Sequence, residues 1–276
     1  MLRSVSSLLA AAVVLLAAQF GLSACSSTAP ADSVDPAAVV TVNTGASSVA
    51  VQTSSVTAAI SDWQVIATSV QGRPIRARTI GDGPRRVLFI GGIHGDEAEG
   101  AYSTAQLPRA FIEAGLTDAV TLTILEDANP DGRAAHTRTN ANRVDINRNF
   151  PATNFDTSNA AYGSQPLSQP ESRAVYDTVA RLHPDLVVVA HSWQGRQFLN
   201  FDGPARQLAE RFSALSGLRV EESSAFAPTP GSLGSYVGRD RGIPILTVEV
   251  LKGADPKDVW DQIHAALLEV ISGLAS

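Results

Sequence analysis

The sequence predicts an α/β domain built on a mixed, largely parallel sheet with helices on both faces. Short apolar runs alternate along the chain with longer amphipathic stretches, which is the order of strand and helix in such folds. The runs at 87–90, 186–190 and 245–250 are mostly aliphatic, as in strands that are buried on both faces. Polar residues follow or end each run. Because ligands of open α/β sheets bind at the carboxyl ends of the strands, we expect a functional site there.

The elements of this fold can be assigned in chain order. The segment 71–74, Gln-Gly-Arg-Pro, is a typical turn between two strands, and Gly115 is a typical stop after a helix. Residues 129–150 are rich in Asn, Asp, Gly and Arg and lack apolar periodicity, which predicts a long functional loop. The predicted strands are Trp63–Val70, Ile75–Ile80, Arg86–Ile90, Val120–Leu125, Asp185–Ala190, Arg219–Glu222 and Ile243–Val250. The predicted helices are Glu97–Glu113, Pro170–Leu182, Ala205–Leu215, Gly231–Arg241 and Pro256–Leu274.

Length and composition favour one globular domain of acidic character. The chain has 276 residues, of which 44% are hydrophobic, and this is enough for one sizeable core. Its formal net charge of −6 argues against a nucleic-acid-binding surface and against a basic membrane patch. We find no internal repeats and no second domain. The sequence does not fix the oligomeric state.

The N-terminal region is typical of an exported bacterial lipoprotein. Residues 1–24 combine Arg3, an apolar run at 8–20 and a Leu-Ser-Ala ending, which predicts a lipoprotein signal peptide. Cys25 follows and is the only cysteine, so we expect it to carry the lipid that anchors the protein to a bacterial membrane. An ordinary signal with a chance cysteine is the alternative. Residues 25–61 are rich in Ser, Thr, Ala and Val and are predicted to be a flexible tether, leaving 62–276 as the folded domain.

Two histidines and one glutamate form a candidate metal site. His94 and Glu97 are three residues apart across a helix start, and His191 follows another strand. Hydrolytic zinc sites use three protein ligands and leave a fourth position for water. The His-x-x-Glu pattern alone is weak, and each histidine alone can be a capping or core residue. Together they predict one Zn²⁺ ion per chain.

Further polar residues can support hydrolysis at this site. Glu249 interrupts an apolar strand; it is either half of a salt bridge or a catalytic acid/base, and the second carboxylate beside Glu97 favours catalysis. Arg138 and Arg148 belong to the predicted loop, and arginine forks bind carboxylates or stabilise an oxyanion. Asp145 is suited to orienting a zinc-bound imidazole.

Several segments, in their order and approximate spacing, resemble the zinc carboxypeptidase family of the carboxypeptidase A type. The most specific is the Asn-Arg-Asn-Phe-Pro stretch at 147–151, and the similarity runs from about residue 62 to the C-terminus. The matching segments are Gly-Gly-Ile-His-Gly-Asp-Glu at 91–97, Asn-Pro-Asp-Gly at 129–132, Val-Asp-Ile-Asn-Arg-Asn-Phe-Pro at 144–151, His191-Ser192 and Thr247-Val248-Glu249.

The resemblance implies a role for each candidate residue and a zinc cofactor. The implied roles are zinc ligation by His94, Glu97 and His191, acid/base catalysis by Glu249, oxyanion stabilisation by Arg138, binding of the substrate's free carboxylate by Asn147 with Arg148, and support of His94 by Asp145. The implied reaction is attack of zinc-bound water on an amide carbonyl, with Glu249 taking the proton.

Within the family, residues 138–151 and 228–234 most resemble the bacterial amidases of cell-wall (murein) peptides, which cut the γ-D-glutamyl–diaminopimelate bond. The resemblance therefore implies a murein-derived peptide as substrate. One departure concerns the mobile tyrosine of the digestive family members, whose place at 224–228 reads Ser-Ala-Phe-Ala-Pro; Tyr236 comes later and does not replace it. Three alternatives remain open: a carboxypeptidase for ordinary peptides, a deacylase of acyl amino acids, and a non-catalytic lipoprotein that binds peptidoglycan peptides.

Overall fold

The structure, a computed structural model, describes residues 61–223 and 229–273. The predicted signal peptide, the lipidation site Cys25 and all but the last residue of the predicted tether lie outside the described residues. So does the segment 224–228, where the departure from the tyrosine pattern falls. The described residues belong to one compact unit of the chain, Thr53–Ser276. Among them, no helix combines the length and the apolar character needed to cross a membrane.

Eight strands and five α-helices make up this part of the chain. The strands are β1 Gln64–Thr68, β2 Pro74–Ile80, β3 Arg85–Ile90, β4 Val120–Leu125, β5 Leu186–Trp193, β6 Phe198–Asp202, β7 Val220–Glu222 and β8 Ile245–Leu251. The α-helices are α1 Glu99–Glu113, α2 Pro130–Ala135, α3 Pro170–Leu182, α4 Arg206–Ser216 and α5 Pro256–Ser272. Short 3₁₀ turns occupy Ile146–Arg148 and Ala160–Tyr162, and Gly234–Asp240 is a wide helical segment of the π type.

The strands form one mixed sheet in the order β1-β2-β4-β3-β5-β8-β6-β7. The central pairs β4–β3, β3–β5 and β5–β8 are parallel, and β6 runs antiparallel to β8. Helices cover both faces, which confirms the predicted fold class. The carboxyl ends of β3, β5 and β8 meet at one edge, and this edge positions the candidate site.

The central strands are buried on both faces, as their aliphatic runs predict. In β5, Leu186 and Val188 pack in the core under α1, α4 and α5, whereas Val187 and Val189 pack in the core under α3. All four are at most 2% exposed. Each side chain of such a strand removes apolar area from water, so the central strands anchor the edge at which the polar residues emerge.

Three local features differ from the sequence-based expectations. Strand β6 was not predicted, although its Phe198 and Leu199 are buried. Helix α2 lies inside the predicted loop, and its signal is Asn129, whose side chain caps the helix, followed by Pro130 at its first position. Helix α1 begins at Glu99 rather than at residue 97, because the preceding residues form an irregular turn that carries the metal-ligand candidates.

A buried carboxylate ties the β1–β2 turn to α2. Asp131 accepts hydrogen bonds from Ser69 Oγ at 2.8 Å and from the Gln71 backbone N–H at 2.9 Å, and it pairs with Arg73 Nη1 at 2.6 Å. Burial alone would raise the pKa of Asp131, but these donors outweigh it and hold the pKa below its usual value. The group therefore stabilises the fold above its usual pKa, and that contribution is lost as the pH falls through the folded-state pKa.

We expect Asp131→Asn to lower the free energy of unfolding by about 1–3 kcal/mol at pH 7, since charged acceptors of several donors are lost. The difference from wild type should begin to shrink as the pH falls below about 4, the usual pKa, and should disappear as the pH falls through the lower folded-state pKa of Asp131. Urea unfolding of the variant and of wild type, at pH 7 and below about pH 4, measures this difference in stability. Asp118→Asn, at an exposed carboxylate near the start of β4, is the control and should change stability by less than about 0.5 kcal/mol. An equal loss at both pH values would contradict this assignment.

Candidate metal centre and active site

The three metal-ligand candidates come together at the carboxyl edge of the sheet. The ligand atoms of His94, Glu97 and His191 all lie within 4.8 Å of one another. His94 Nδ1 is 2.8 Å from Glu97 Oε1, and His191 Nδ1 is 2.7 Å from Glu97 Oε2. All three residues are buried, with 2–5% of their surface exposed. The three residues that the sequence places in two distant segments thus form one compact cluster.

The turn after β3 places His94 and Glu97. Gly95 in this turn lies against the backbone of α2: a Cβ on Gly95 would be 1.9 Å from the carbonyl carbon of Gly132. No side chain fits there, so the close approach requires glycine. His191 lies in β5 itself, and the backbone N–H of the next residue, Ser192, donates to Glu97 Oε2 at 3.1 Å. The turn and the strand are therefore joined through the Glu97 carboxylate.

The outer nitrogens of both imidazoles also have partners. His94 Nε2 is 3.1 Å from Asp145 Oδ1, and the second oxygen of Asp145 accepts from Arg138 Nε at 2.9 Å. His191 Nε2 is 3.3 Å from the side-chain amide nitrogen of Asn147. These contacts fix the ring planes so that both Nδ1 atoms point at the same place. Orientation of a ligating imidazole by a carboxylate is a frequent feature of metal sites.

The electrostatics of the cluster are those of a cation site. Burial alone would raise the pKa of Glu97, but the two imidazoles hold that pKa well below its usual value. The same is true of Asp145, whose pKa is held low by His94 and Arg138 despite its burial. Two buried carboxylates thus remain charged beside the imidazoles. Arg138 already compensates the charge of Asp145, and a cation held between the imidazoles would compensate that of Glu97.

The donor set fits zinc. Two imidazole nitrogens and one carboxylate are the ligands found in many catalytic zinc sites. Ligands of a tetrahedral zinc ion at about 2.0–2.1 Å lie roughly 3.3 Å from each other, so the observed separations suit a shared ion. His94, Glu97 and His191 would hold the ion through their Nδ1, carboxylate and Nδ1 atoms.

Glu249 faces the cluster from the neighbouring strand. It pairs in register with His191 across the parallel strands β5 and β8. Its Oε2 atom is buried and has no hydrogen-bond partner. Burial raises the pKa of Glu249 above its usual value, with the nearby Glu97 adding to the rise. No salt-bridge partner contacts it within the described residues, so the structure does not support the salt-bridge interpretation of this acid.

The remaining predicted residues line a cavity of about 380 Å³ in front of the cluster. Arg138 extends past Asp145 so that its Nη1 is 3.5 Å from Glu97 Oε1. Asn147 and Arg148 lie in the 3₁₀ turn that directly follows Asp145, where Asn147 Oδ1 accepts from the Leu233 N–H at 2.9 Å. The structure thus brings every predicted site residue of the catalytic domain into one place.

For the far end of this cavity, the sequence offers 200–203 and the region of Leu233 as candidate pocket-lining segments but assigns them no role. Asp202, at the end of β6, has a carboxylate that accepts from Ser223 Oγ at 2.8 Å, and burial raises its pKa. Gly234 leaves room for it, because a Cβ there would be 2.5 Å from Asp202 Oδ2. Trp193 and Phe198 line the other part of the cavity. Phe198, Asn200 and Asp202 are two residues apart, so they share one face of a strand. This spacing was the available sequence signal for this wall, once β6 is taken as a strand.

The fold and the donor set define a zinc metallopeptidase, a class of hydrolase. Comparison with known families agrees: residues 51–217 match the family model described as zinc carboxypeptidase. The chain belongs to the zinc carboxypeptidase family, whose members depend on zinc. The matched range contains all three ligand candidates and ends before Glu249, which the structure itself brings to the site.

Known proteins are similar to the chain in sequence, and solved structures are similar to it in fold. The chain is 29% identical over 178 residues to murein peptide amidase A of Escherichia coli, covering 59% of this chain and 69% of that protein. It is 28% identical over 181 residues to murein peptide amidase A of Vibrio campbellii, covering 60% and 69%. The crystal structure of a murein-tripeptide amidase from Escherichia coli is similar in fold, with a TM-score of 0.61 and 24% identity over 78% of this chain and 94% of that one. Carboxypeptidase A from Helicoverpa armigera gives a TM-score of 0.64 at 18% identity, over 79% and 69%.

Asp145→Asn should weaken zinc binding by about 10- to 100-fold, because the imidazole of His94 loses the carboxylate that orients it. Competition with a chromogenic chelator measures the dissociation constant of the purified protein. Asp156→Asn, at a half-buried carboxylate that contacts none of the ligand candidates, is the matched control and should leave the constant unchanged. An unaltered zinc affinity in Asp145→Asn would show that this contact does not support the metal site.

Proposed function

We propose that the protein is a zinc-dependent peptidase or amidase of cell-wall peptides that hydrolyses the γ-D-glutamyl–diaminopimelate bond, with one zinc ion per chain. The observation that carries the proposal is the arrangement of Glu249 and Arg138 on two sides of the His94–Glu97–His191 cluster, within one cavity. The similarity to murein peptide amidases supports the choice of substrate.

The chain's own residues divide the work of amide hydrolysis. Zinc, when bound, supplies a Lewis acid that polarises a carbonyl and lowers the pKa of water. Glu249 takes the proton from the attacking water, since its unpaired oxygen faces the cluster and its raised pKa makes it a better base near neutral pH. It then passes the proton to the leaving nitrogen. The guanidinium of Arg138 stabilises the negative charge that develops on the carbonyl oxygen.

We assign recognition of the substrate to the 3₁₀ turn with Asn147 and Arg148 and to the far end of the cavity. Arg148, held by its hydrogen bond to the Asn147 carbonyl at 2.8 Å, presents a fork that suits a terminal carboxylate. Asp202 offers a negative charge deeper in the cavity. The side chain of diaminopimelate ends in an amino group and a carboxylate, so an amino group near Asp202 is favoured by charge. A cavity of about 380 Å³ accommodates a group of this size.

Two substrates test the proposal against its alternatives. The purified full chain is incubated with the murein tripeptide and, separately, with an ordinary N-acylated dipeptide, each with and without a chelator. We expect chelator-sensitive release of diaminopimelate from the tripeptide, identified by mass, at a kcat/KM at least about tenfold higher than for the dipeptide. Preference for the dipeptide would instead indicate a general carboxypeptidase. Binding of the tripeptide without cleavage by the zinc-loaded protein would indicate a non-catalytic binding protein.

Glu249→Gln should lower kcat on the tripeptide by at least about 100-fold, since the amide cannot accept the proton of water. Zinc content, measured by elemental analysis, should stay near one ion per chain because Glu249 is not among the ligand candidates. The exposed Glu113→Gln is the control and should keep full activity. Retained turnover in Glu249→Gln would remove it as the base.

Arg148→Ala should raise KM by about 10- to 100-fold for a substrate with a free terminal carboxylate, because hydrogen bonds between charged groups contribute about 1.5–3 kcal/mol. The same substrate with its carboxylate amidated should show little further change. Arg143→Asn is the matched control: Arg143 is exposed in the same loop, and asparagine tolerates its left-handed backbone at φ 61°. A KM that does not depend on Arg148 would contradict its assigned role.

We further propose that the protein is exported and anchored to a bacterial membrane through lipid on Cys25, after removal of residues 1–24. The sequence pattern at the end of the apolar run supports this. Cys25→Ser should move the protein from the membrane fraction to the soluble fraction and abolish incorporation of labelled palmitate. Unchanged membrane association in Cys25→Ser would contradict the anchor.

A further inference from the structure

A second cavity, of about 460 Å³, lies apart from the metal centre. It is bounded by β2, the first half of α1, the residues that follow β4, and α2. None of its lining residues also lines the cavity in front of the metal-ligand cluster. We call it the arginine pocket, after the residues that give it its character: Trp63, Arg76, Arg78, Glu126, Asp127 and Arg133.

The charges in the arginine pocket do not balance. Arg133 Nε pairs closely with Asp127 Oδ2 at 2.7 Å, and Arg76 lies 3.6 Å from Glu126. Within the described residues, Arg78 has no carboxylate partner. Three guanidinium groups therefore face two carboxylates, and the remaining charge is positive. A buried or half-buried excess charge of this kind favours a ligand of opposite sign.

The unpaired guanidinium is held in place by an aromatic ring. The guanidinium carbon of Arg78 lies 4.6 Å from the ring centre of Trp63. Stacking of this kind fixes the plane of the group and leaves its edge for hydrogen bonds. Arg76 is two residues away on the same face of β2, roughly 6–7 Å along the strand. The two groups thus extend into the cavity side by side.

Hydrogen-bond donors in the pocket also lack acceptors. Arg78 Nε and one terminal nitrogen of Arg133 are buried and make no hydrogen bond. Buried donors in folded proteins almost always have a partner, so each exception calls for a water molecule or a ligand. Both donors belong to guanidinium groups of residues that line one cavity. Oxygen atoms that carry negative charge are the acceptors that guanidinium groups bind most strongly.

We propose that the arginine pocket is a second binding site, which takes the oxyanion group, a carboxylate or a phosphate, of a small ligand. The free edge of Arg78 and the loosely paired Arg76 bind the anionic group, and Arg133 borders it from α2. The indole of Trp63 and the neighbouring Pro108 provide an apolar wall for the body of the ligand. The acids are not free to bind a cation, because each already faces an arginine.

The three tryptophans of the chain allow this site to be observed separately from the metal centre. Trp63 borders the arginine pocket, Trp193 borders the cavity at the metal centre, and Trp260 lies on α5 away from both. The side-chain N–H signals of the ¹⁵N-labelled, zinc-loaded full chain are recorded by NMR and assigned with Trp→Phe variants. Sodium acetate and inorganic phosphate are titrated separately against sodium chloride at constant ionic strength.

We expect the Trp63 signal to shift in a saturable manner with acetate, with phosphate or with both. The titration in which the shift saturates identifies the anion that the pocket binds. Arg78→Gln should raise the dissociation constant by at least about tenfold, since the stacked fork is lost. Arg86→Gln, which removes an exposed arginine of strand β3 outside the pocket, should not change the dissociation constant. Arg76→Gln provides a second test at a half-exposed side chain, so the question remains answerable if Arg78→Gln fails to fold.

The proposal is overturned if the Trp63 signal does not saturate with either anion, which would mean that water alone serves the unpaired donors. It is equally overturned if Arg78→Gln and Arg76→Gln bind as tightly as wild type. Shifts confined to the Trp193 signal would place the anion at the metal centre and also count against it. Because the readout does not depend on turnover, its failure is distinct from a failure of the proposed hydrolytic function.

Discussion

The placement of the Glu97 carboxylate between two imidazoles is the contact on which the site depends. A carboxylate that is 5% exposed costs several kcal/mol unless charges and donors surround it. Here both of its oxygens are used, by His94 and His191, and the Ser192 backbone donates as well. The contact joins a turn after β3 to strand β5, so it links the geometry of the cluster to the register of the sheet.

Around this contact, buried polar side chains give the loop between α2 and α3 its shape. Asn149 is fully buried and uses its amide to bind the backbone at Tyr162 and Gln165 and the N–H of Gln169. Glu171, also fully buried, accepts from Asn140 at 2.9 Å. An unpaired polar group at either position would cost about 1–3 kcal/mol, so the network specifies one loop conformation. That conformation sets the positions of the side chains at 145–148.

Much of this arrangement could be predicted from sequence, and the reasons are specific. The runs around Phe89 and Val188 are aliphatic on both faces, so strand and fold class followed from pattern alone. The candidate site residues were found because each follows such a run, interrupts one as Glu249 does, or belongs to the long polar loop. Strand β6 was missed because its apolar and polar residues are mixed within five positions. The arginine pocket was missed because its charges come from β2, from the residues that follow β4, and from α2, and their meeting depends on an antiparallel strand pairing that no local sequence pattern records.

Glu249 and His191 are neighbours on two hydrogen-bonded strands, whereas Arg148 belongs to a loop. Of the residues proposed to act in hydrolysis, Glu249 therefore lies in the central sheet, whereas Arg138 and Arg148 lie in the loop between α2 and α3. Because the buried Asn149 and Glu171 fix the conformation of this loop, only its exposed positions, such as 141–143, can change at little cost. Changes at such loop positions leave Glu249 and His191 in place in the sheet. Substrate selectivity can therefore change, in evolution or by engineering, separately from the metal site.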